Sequence, residues 1–180
     1  MMGNKYRVSV AAFARDYISN NASLEESYGY AMYHWGIFVE PKGGKGDGRL
    51  YHVEEHPAMN SAQGTIPAGW RFEPRKSSAK ASQRLIGRLL IGKLPAGNGF
   101  LEIDALLDQV PRPVMDTSEN CISWTVNAIT LLQKQGPPSW ADEFNVEEFM
   151  EHAYSRIKHW YEKDDWKFKG HRESYVGRSF

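Results

Sequence analysis

Tyr30-Ala31-Met32-Tyr33-His34-Trp35-Gly36-Ile37-Phe38-Val39-Glu40 is dense in aromatic and β-branched residues. Such residues fit a pleated, half-buried surface, so this stretch predicts a central strand over about residues 31–39. Pro41-Lys42-Gly43-Gly44-Lys45-Gly46-Asp47-Gly48 follows as a glycine-rich turn, and Arg49-Leu50-Tyr51-His52-Val53-Glu54-Glu55 reads as a second strand. Together they predict an antiparallel hairpin with a long tip. The tip has the glycines of a phosphate loop, but it lacks the GxxxxGK[ST] pattern and no helix follows it.

Working outward, residues 5–11 alternate as a short strand, and the chain then drifts polar into a loop around residues 19–23. Residues 69–74 give a further strand, and residues 77–82 a connector of small polar residues. Residues 85–94 are apolar but contain Gly87 and Gly92, which favours strand over helix. Residues 100–110 fit a helix ended by Pro111 and Pro113. A second helix starts near Cys121, behind the N-cap candidates Thr117, Ser118 and Asn120, and stops at Gly136-Pro137-Pro138. A third begins after Asn145 and runs to about Lys163, with Val146, Phe149, Ala153, Ile157 and Trp160 on one stripe. The charged, aromatic tail over residues 164–180 either wraps the body or is mobile. Strands precede helices, so the expected class is α+β: one domain over residues 1–180, an antiparallel sheet packed against helices, with a C-terminal helix and tail.

Composition narrows the function classes. Lys plus Arg total 22 and Asp plus Glu total 22, so no basic footprint points to nucleic acid. The single cysteine excludes an internal disulfide framework and thiolate zinc clusters, and it fits a reducing, cytoplasmic setting. The N-terminus has no apolar signal core, and no run is long enough for a membrane span. No metal or other cofactor is called for by any motif. The sequence leaves oligomeric state open.

Cys121 falls in the first turn of its helix, on the face shared with Trp124 or Thr125, Ala128 and Leu132. Partial positive charge and unpaired N–H groups at a helix start favour thiolate over thiol. The competing reading is a buried structural cysteine. A cysteine nucleophile needs a base, and the base needs a group that orients it. Of the six histidines, His152 and His159 read as solvated helix positions and His171 lies in the tail. His34 and His52 stand on the two hairpin strands, within a residue or two of register, where opposed side chains are about 5 Å apart at Cβ.

His34-Trp35-Gly36-Ile37-Phe38-Val39, the glycine-rich turn, Leu50-Tyr51-His52-Val53 and the later Asn120-Cys121 together resemble the circularly permuted papain-like fold of the NlpC/P60 superfamily. Within it, the lecithin:retinol acyltransferase-like group is the most similar. The resemblance covers residues 31–54 and 118–132. It implies Cys121 as nucleophile, His34 as general base and His52 as the orienting third member, with Glu54, Glu55 and His56 as rivals for that third place. Trp35, Asn120 and Trp124 are the expected substrate-binding residues. After Asn120-Cys121 this chain reads Ile-Ser-Trp where the group has Glu-His-Phe, so the group's substrates do not carry over. The implied chemistry is acyl hydrolysis or acyl transfer through a Cys121 thioester, on a small-molecule or peptidyl acyl substrate. The alternative is a papain-like scaffold without catalysis that binds a peptide or small ligand.

Overall fold

The computed structural model describes residues 5–43, 48–77, 83–95, 99–135, 141–167 and 170–180. In chain order the elements are β1 (Lys5–Ala14), α1 (Glu25–Tyr28), β2 (Tyr33–Pro41), β3 (Gly48–His56), β4 (Met59–Ser61), β5 (Gly64–Ile66), β6 (Gly69–Ser77), β7 (Leu85–Pro95), α2 (Leu101–Asp108), α3 (Cys121–Lys134), α4 (Val146–Glu162) and β8 (His171–Ser174). The fold is α+β. The hairpin tip with Gly44 and Gly46, the Gly136-Pro137-Pro138 helix stop and most of the residue 77–82 connector lie outside the described residues.

Six strands form one sheet in the order β6-β3-β2-β1-β7-β8, and β4 and β5 make a separate small hairpin. The central strand is β1, antiparallel to both β2 and β7. It runs to Ala14, past the expected residue 11, because Ala11, Ala12 and Phe13 still find partners on both sides. Alternation assigns one face of the sheet to Val8, Val10, Ala12, Trp35, Ile37, Val39, Tyr51 and Val53, all fully buried. The helices cover that face with Ile103 and Leu107 from α2, Trp124, Ala128 and Leu132 from α3, and Phe149, Ala153, Ile157 and Trp160 from α4. Gly87 is what lets α4 lie down on the sheet: a Cβ there would stand 2.5 Å from a carbon of the Trp160 ring. The opposite face carries a smaller cluster of Ala11, Phe38, Leu50 and Leu85, and a buried Arg88–Glu40 ion pair at 3.0 Å.

The tail is a structural element. Residues 171–174 add β8 to the sheet, parallel to β7, and Tyr175 N–H donates to the Leu90 carbonyl at 3.1 Å. His171 stacks on Trp160 with ring centroids 5.3 Å apart. A four-residue strand with no apolar alternation gives no strand signal in sequence; its place at the edge of β7 creates it. Among the described residues, no helix is long and apolar enough to cross a membrane.

Candidate active site

The chain enters α3 through a tight cap. Asn120 is extended, at φ −160° and ψ −166°, and its Oδ1 accepts from Ile122 N–H at 2.8 Å and Ser123 N–H at 3.3 Å. Ser123 Oγ accepts from Asn120 N–H at 2.8 Å, which completes a reciprocal capping box. Of the three N-cap candidates, Asn120 is therefore the one used, and Cys121 is the first helical residue. The cap leaves Cys121 N–H and Asn120 Nδ2 without hydrogen-bond acceptors among the described residues, apart from the contact of Cys121 N–H with its own sulfur.

Strands β2 and β3 make room for this helix start. Their ladder covers only Ile37–Tyr51, Phe38–Leu50 and Val39–Arg49. Yet β2 stays paired with β1 as far as Tyr33, and β3 with β6 as far as His56. The β2–β3 ladder therefore stops at Ile37 although both strands run on. There the Trp35 N–H, free of any ladder partner on β3, acts on the Cys121 sulfur in the direction that favours thiolate. Extending the register puts Gly36 opposite His52 and His34 on the diagonal. Gly36 permits the approach, since a Cβ at that position would stand 2.8 Å from the Tyr51 carbonyl oxygen and 3.1 Å from His52 Cβ.

His34 and His52 meet beyond the end of this ladder. His34 Nε2 and His52 Nδ1 are 2.8 Å apart, so one imidazole donates to the other. With Nε2 engaged, Nδ1 is the His34 nitrogen left for another partner. The tautomer that makes Nδ1 a base carries its proton on Nε2 and donates it to His52, which then holds its own proton on Nε2. That His52 Nε2 is buried and has no partner among the described residues. Of the rival third members, Glu54 stays beside the pair and the other two are engaged or turned away. His56 Nε2 is bonded to Glu73 Oε1 at 2.7 Å, Glu55 is exposed, and Glu54 stops 3.5 Å from His52 Nδ1.

His34 and Cys121 border one cavity of about 490 Å³, together with Arg15, Ala31, Val53, Glu54, Trp70 and Asn120. A second cavity of about 420 Å³ shares Arg15, His34 and Glu54 with it and adds Phe13, His52, Arg75 and Arg84. Two of the expected substrate-binding residues are elsewhere. Trp35 is fully buried on the helix-covered face, with its Nε1–H bonded to the Tyr30 carbonyl at 2.8 Å. Trp124 is 1% exposed and packs against Phe72, with ring centroids 5.7 Å apart. Both rings point into the core, because strand alternation and helix periodicity put them on the apolar side; of the three, Asn120 is the one that lines either of these two cavities. Arg15 is the site residue that sequence reading missed. It lies in a stretch with no periodic pattern, and only the turn after β1 brings it to the cysteine.

Electrostatics give a neutral site. Burial holds the His34 imidazolium at a pKa of about 4, with Arg15 and Arg75 adding to the depression. Burial likewise lowers His52 to about 3, assisted by His34 and Arg75. Burial pushes the Cys121 thiol above its ordinary value, against the opposing pull of Trp35 N–H, Arg15 and the N–H groups of Cys121 and Ile122. The helix start was expected to favour thiolate. Its donors do act in that direction, but removal of the sulfur from water outweighs them. At neutral pH the resting site thus holds a thiol and neutral imidazoles.

His34, His52 and Glu54 bring three possible metal-ligand atoms within 4.8 Å of one another, as do Glu54, His56 and Glu73. Arg75 stands 3.1 Å from Glu73 and 3.7 Å from Glu54, a fixed positive charge that works against a cation at either trio. The other histidines sit outside the site. His152 is half-exposed and bonds Glu173 at 2.8 Å, while His159 is exposed on α4.

Comparison with curated proteins finds no match, and comparison with solved structures finds none either. A family model described as a family of unknown function (DUF6914) matches residues 5–175, nearly the whole chain, and the protein belongs to that family.

Proposed function

We propose that this protein is a thiol-dependent acyl hydrolase or acyltransferase with a permuted papain-like arrangement, acting on a small-molecule or peptidyl acyl substrate. The observation that carries the reading is that Cys121, at a capped helix start, and His34 border the same cavity, with His52 bonded to His34 at 2.8 Å. As the sulfur attacks the acyl carbonyl carbon, its proton passes to His34 Nδ1 and the carbonyl π pair moves onto oxygen. Cys121 N–H and Asn120 Nδ2 are the donors available to that oxyanion. The oxyanion collapses, the bond to the leaving group breaks, and His34 returns its proton to that group. A thioester remains on Cys121. Water or another acceptor gives its proton to His34 while attacking the thioester, the C–S bond breaks to release the acyl product, and His34 returns the proton to the sulfur. His52 orients His34 throughout and stabilises its protonated form. A reducing compartment such as the cytoplasm keeps the thiol free.

The test is intact mass spectrometry after exposure to an activated ester such as p-nitrophenyl acetate. The expected result is one acyl group per chain, located on Cys121 and lost in Cys121→Ser. Absence of both adduct and turnover across a panel of acyl esters would sink the reading. One observation favours the second reading, a binding module without catalysis: burial holds the Cys121 thiol above its ordinary pKa. A non-catalytic scaffold predicts slow alkylation at every pH until the chain unfolds.

A further inference from the structure

We propose that Arg15 forms an anion-holding subsite beside Cys121, so that the acyl substrate carries a carboxylate or phosphate group close to its reacting carbonyl. The proposal rests on the thiol reading for its substrate, but the subsite itself is argued from position, anchoring and charge.

Arg15 is on the wall of both cavities, between the one that holds Cys121 and the one that holds His52. Its position is built by the turn that leaves β1. Ser19 N–H donates to the Arg15 carbonyl at 3.0 Å, and Arg15 N–H donates to Ser19 Oγ at 2.8 Å. Ser19 is 5% exposed and in turn donates to the Met32 carbonyl at 2.5 Å. Tyr17, at φ 66°, accepts the left-handed conformation that closes this turn. The guanidinium is also tied, with Nη1 donating to the Ala31 carbonyl at 2.5 Å. Main chain and head group are therefore both fixed to the segment that leads into β2, and the rest of the guanidinium fork is free to donate.

The other two arginines of the neighbouring cavity each have a carboxylate partner. Arg75 pairs with Glu73 and Glu54, and Arg84 with Asp16 at 2.7 Å. Among the described residues Arg15 pairs with no carboxylate, although it is half-buried. A charge withdrawn from water is compensated by a partner, and here none of the described residues supplies one. The guanidinium also acts on both reacting groups, lowering the pKa of His34 and of Cys121. Its planar fork matches a carboxylate or phosphate in two-point geometry, which a lysine does not reproduce.

The test uses the single thiol as reporter. Cys121 is alkylated with iodoacetate, which is anionic, and with iodoacetamide, its neutral counterpart, and both rates are read by intact mass in wild type, Arg15→Gln and Arg15→Lys. The expected result is that Arg15→Gln slows iodoacetate roughly tenfold relative to iodoacetamide, with Arg15→Lys between the two. Inorganic phosphate and acetate are then added as competitors, and the stronger protection of wild type against iodoacetate shows which anion the fork prefers. Equal slowing of both reagents, or slowing of neither, overturns the subsite. If neither reagent reaches Cys121 in folded wild type, the thiol reading fails, and the subsite is judged separately by NMR. Phosphate or acetate should then shift the Arg15 side-chain Nε–H signal in wild type; an unmoved signal overturns the proposal. If Arg15→Gln does not fold, Arg15→Lys decides: it must lose iodoacetate preference relative to wild type.

Discussion

At the scale of single residues, the site combines a protonated thiol with neutral bases, and this fixes its pH behaviour. His34 must be neutral to take a proton, and its pKa lies at about 4. Activity should therefore fall on the acid side near pH 4 rather than near the ordinary histidine value of 6.5. Alkylation of Cys121 should climb with pH into the alkaline range, because burial moves the thiol up. A kcat/KM profile together with an iodoacetamide rate profile checks both limbs; a thiolate already complete at pH 6 would contradict the neutral site. His34→Ala should cost more activity than His52→Ala, since the first transfers the proton and the second orients it. Asn120→Asp keeps an oxygen for the cap but removes the Nδ2 donor. It should lower kcat by roughly 10²–10³-fold while leaving the melting temperature near wild type, if Asn120 contributes to an oxyanion hole. A full-rate Asn120→Asp variant would assign that work to Cys121 N–H alone.

At the scale of elements, two glycines make the same kind of opening at two unrelated places. Gly36 lets β3 approach β2 beside the histidines, and Gly87 lets α4 approach β7 through Trp160. An alanine at either position overpacks, at a typical cost of about 1–3 kcal/mol. The functional consequences should separate. Gly36→Ala pushes against His52 Cβ and the Tyr51 carbonyl, so it should disturb the His34–His52 contact and lose activity below its melting temperature. Gly87→Ala strains the α4 packing on β7, outside the His34–His52 contact, and should keep its specific activity until it melts. Denaturant unfolding measured alongside ester turnover distinguishes the two; equal specific activities would mean that the histidine contact tolerates a shifted β2. The hairpin itself was plain from its aromatic and β-branched residues. The early end of its ladder at Ile37 was not, because unpairing there depends on α3 entering from another part of the chain.

At the scale of the whole molecule, the buried neutral histidines tie stability to pH. In the unfolded chain each takes up a proton near pH 6.5, whereas in the folded chain His34 waits until about 4 and His52 until about 3. Between these limits the unfolded state binds more protons, so stability rises with pH through that window and is lost as pH falls through it. Urea midpoints should decline from about pH 6.5 toward pH 4, and the decline should be shallower in a His34→Asn/His52→Asn double variant. An identical slope in both proteins would place the acid sensitivity elsewhere. The buried Arg88–Glu40 pair on the other face contributes in a different way. Glu40→Gln leaves Arg88 without its counter-charge and should destabilise by about 3–5 kcal/mol at neutral pH.

The sequence by itself determined what depends on neighbours along the chain. The strands expected over residues 31–39, 49–55 and 85–94 followed from their apolar and β-branched composition and match β2, β3 and β7 to within two residues at each end; α3 and α4 followed from their caps and stripes, and the α+β class from the order of the elements. It also singled out Cys121, His34 and His52, because one thiol at a helix start and two histidines on hairpin strands are local patterns. Tertiary structure decided which side of an element meets a cavity and which meets the core. It turned Trp35 and Trp124 inward, set His52 rather than His56 on His34, and carried Arg15 to the cysteine from over a hundred residues away. It made the tail an edge strand, since β8 exists only where β7 offers it unpaired groups. It reversed the expected bias of the thiol, because helix-end donors act locally, whereas the loss of water around the sulfur is a property of the packed whole.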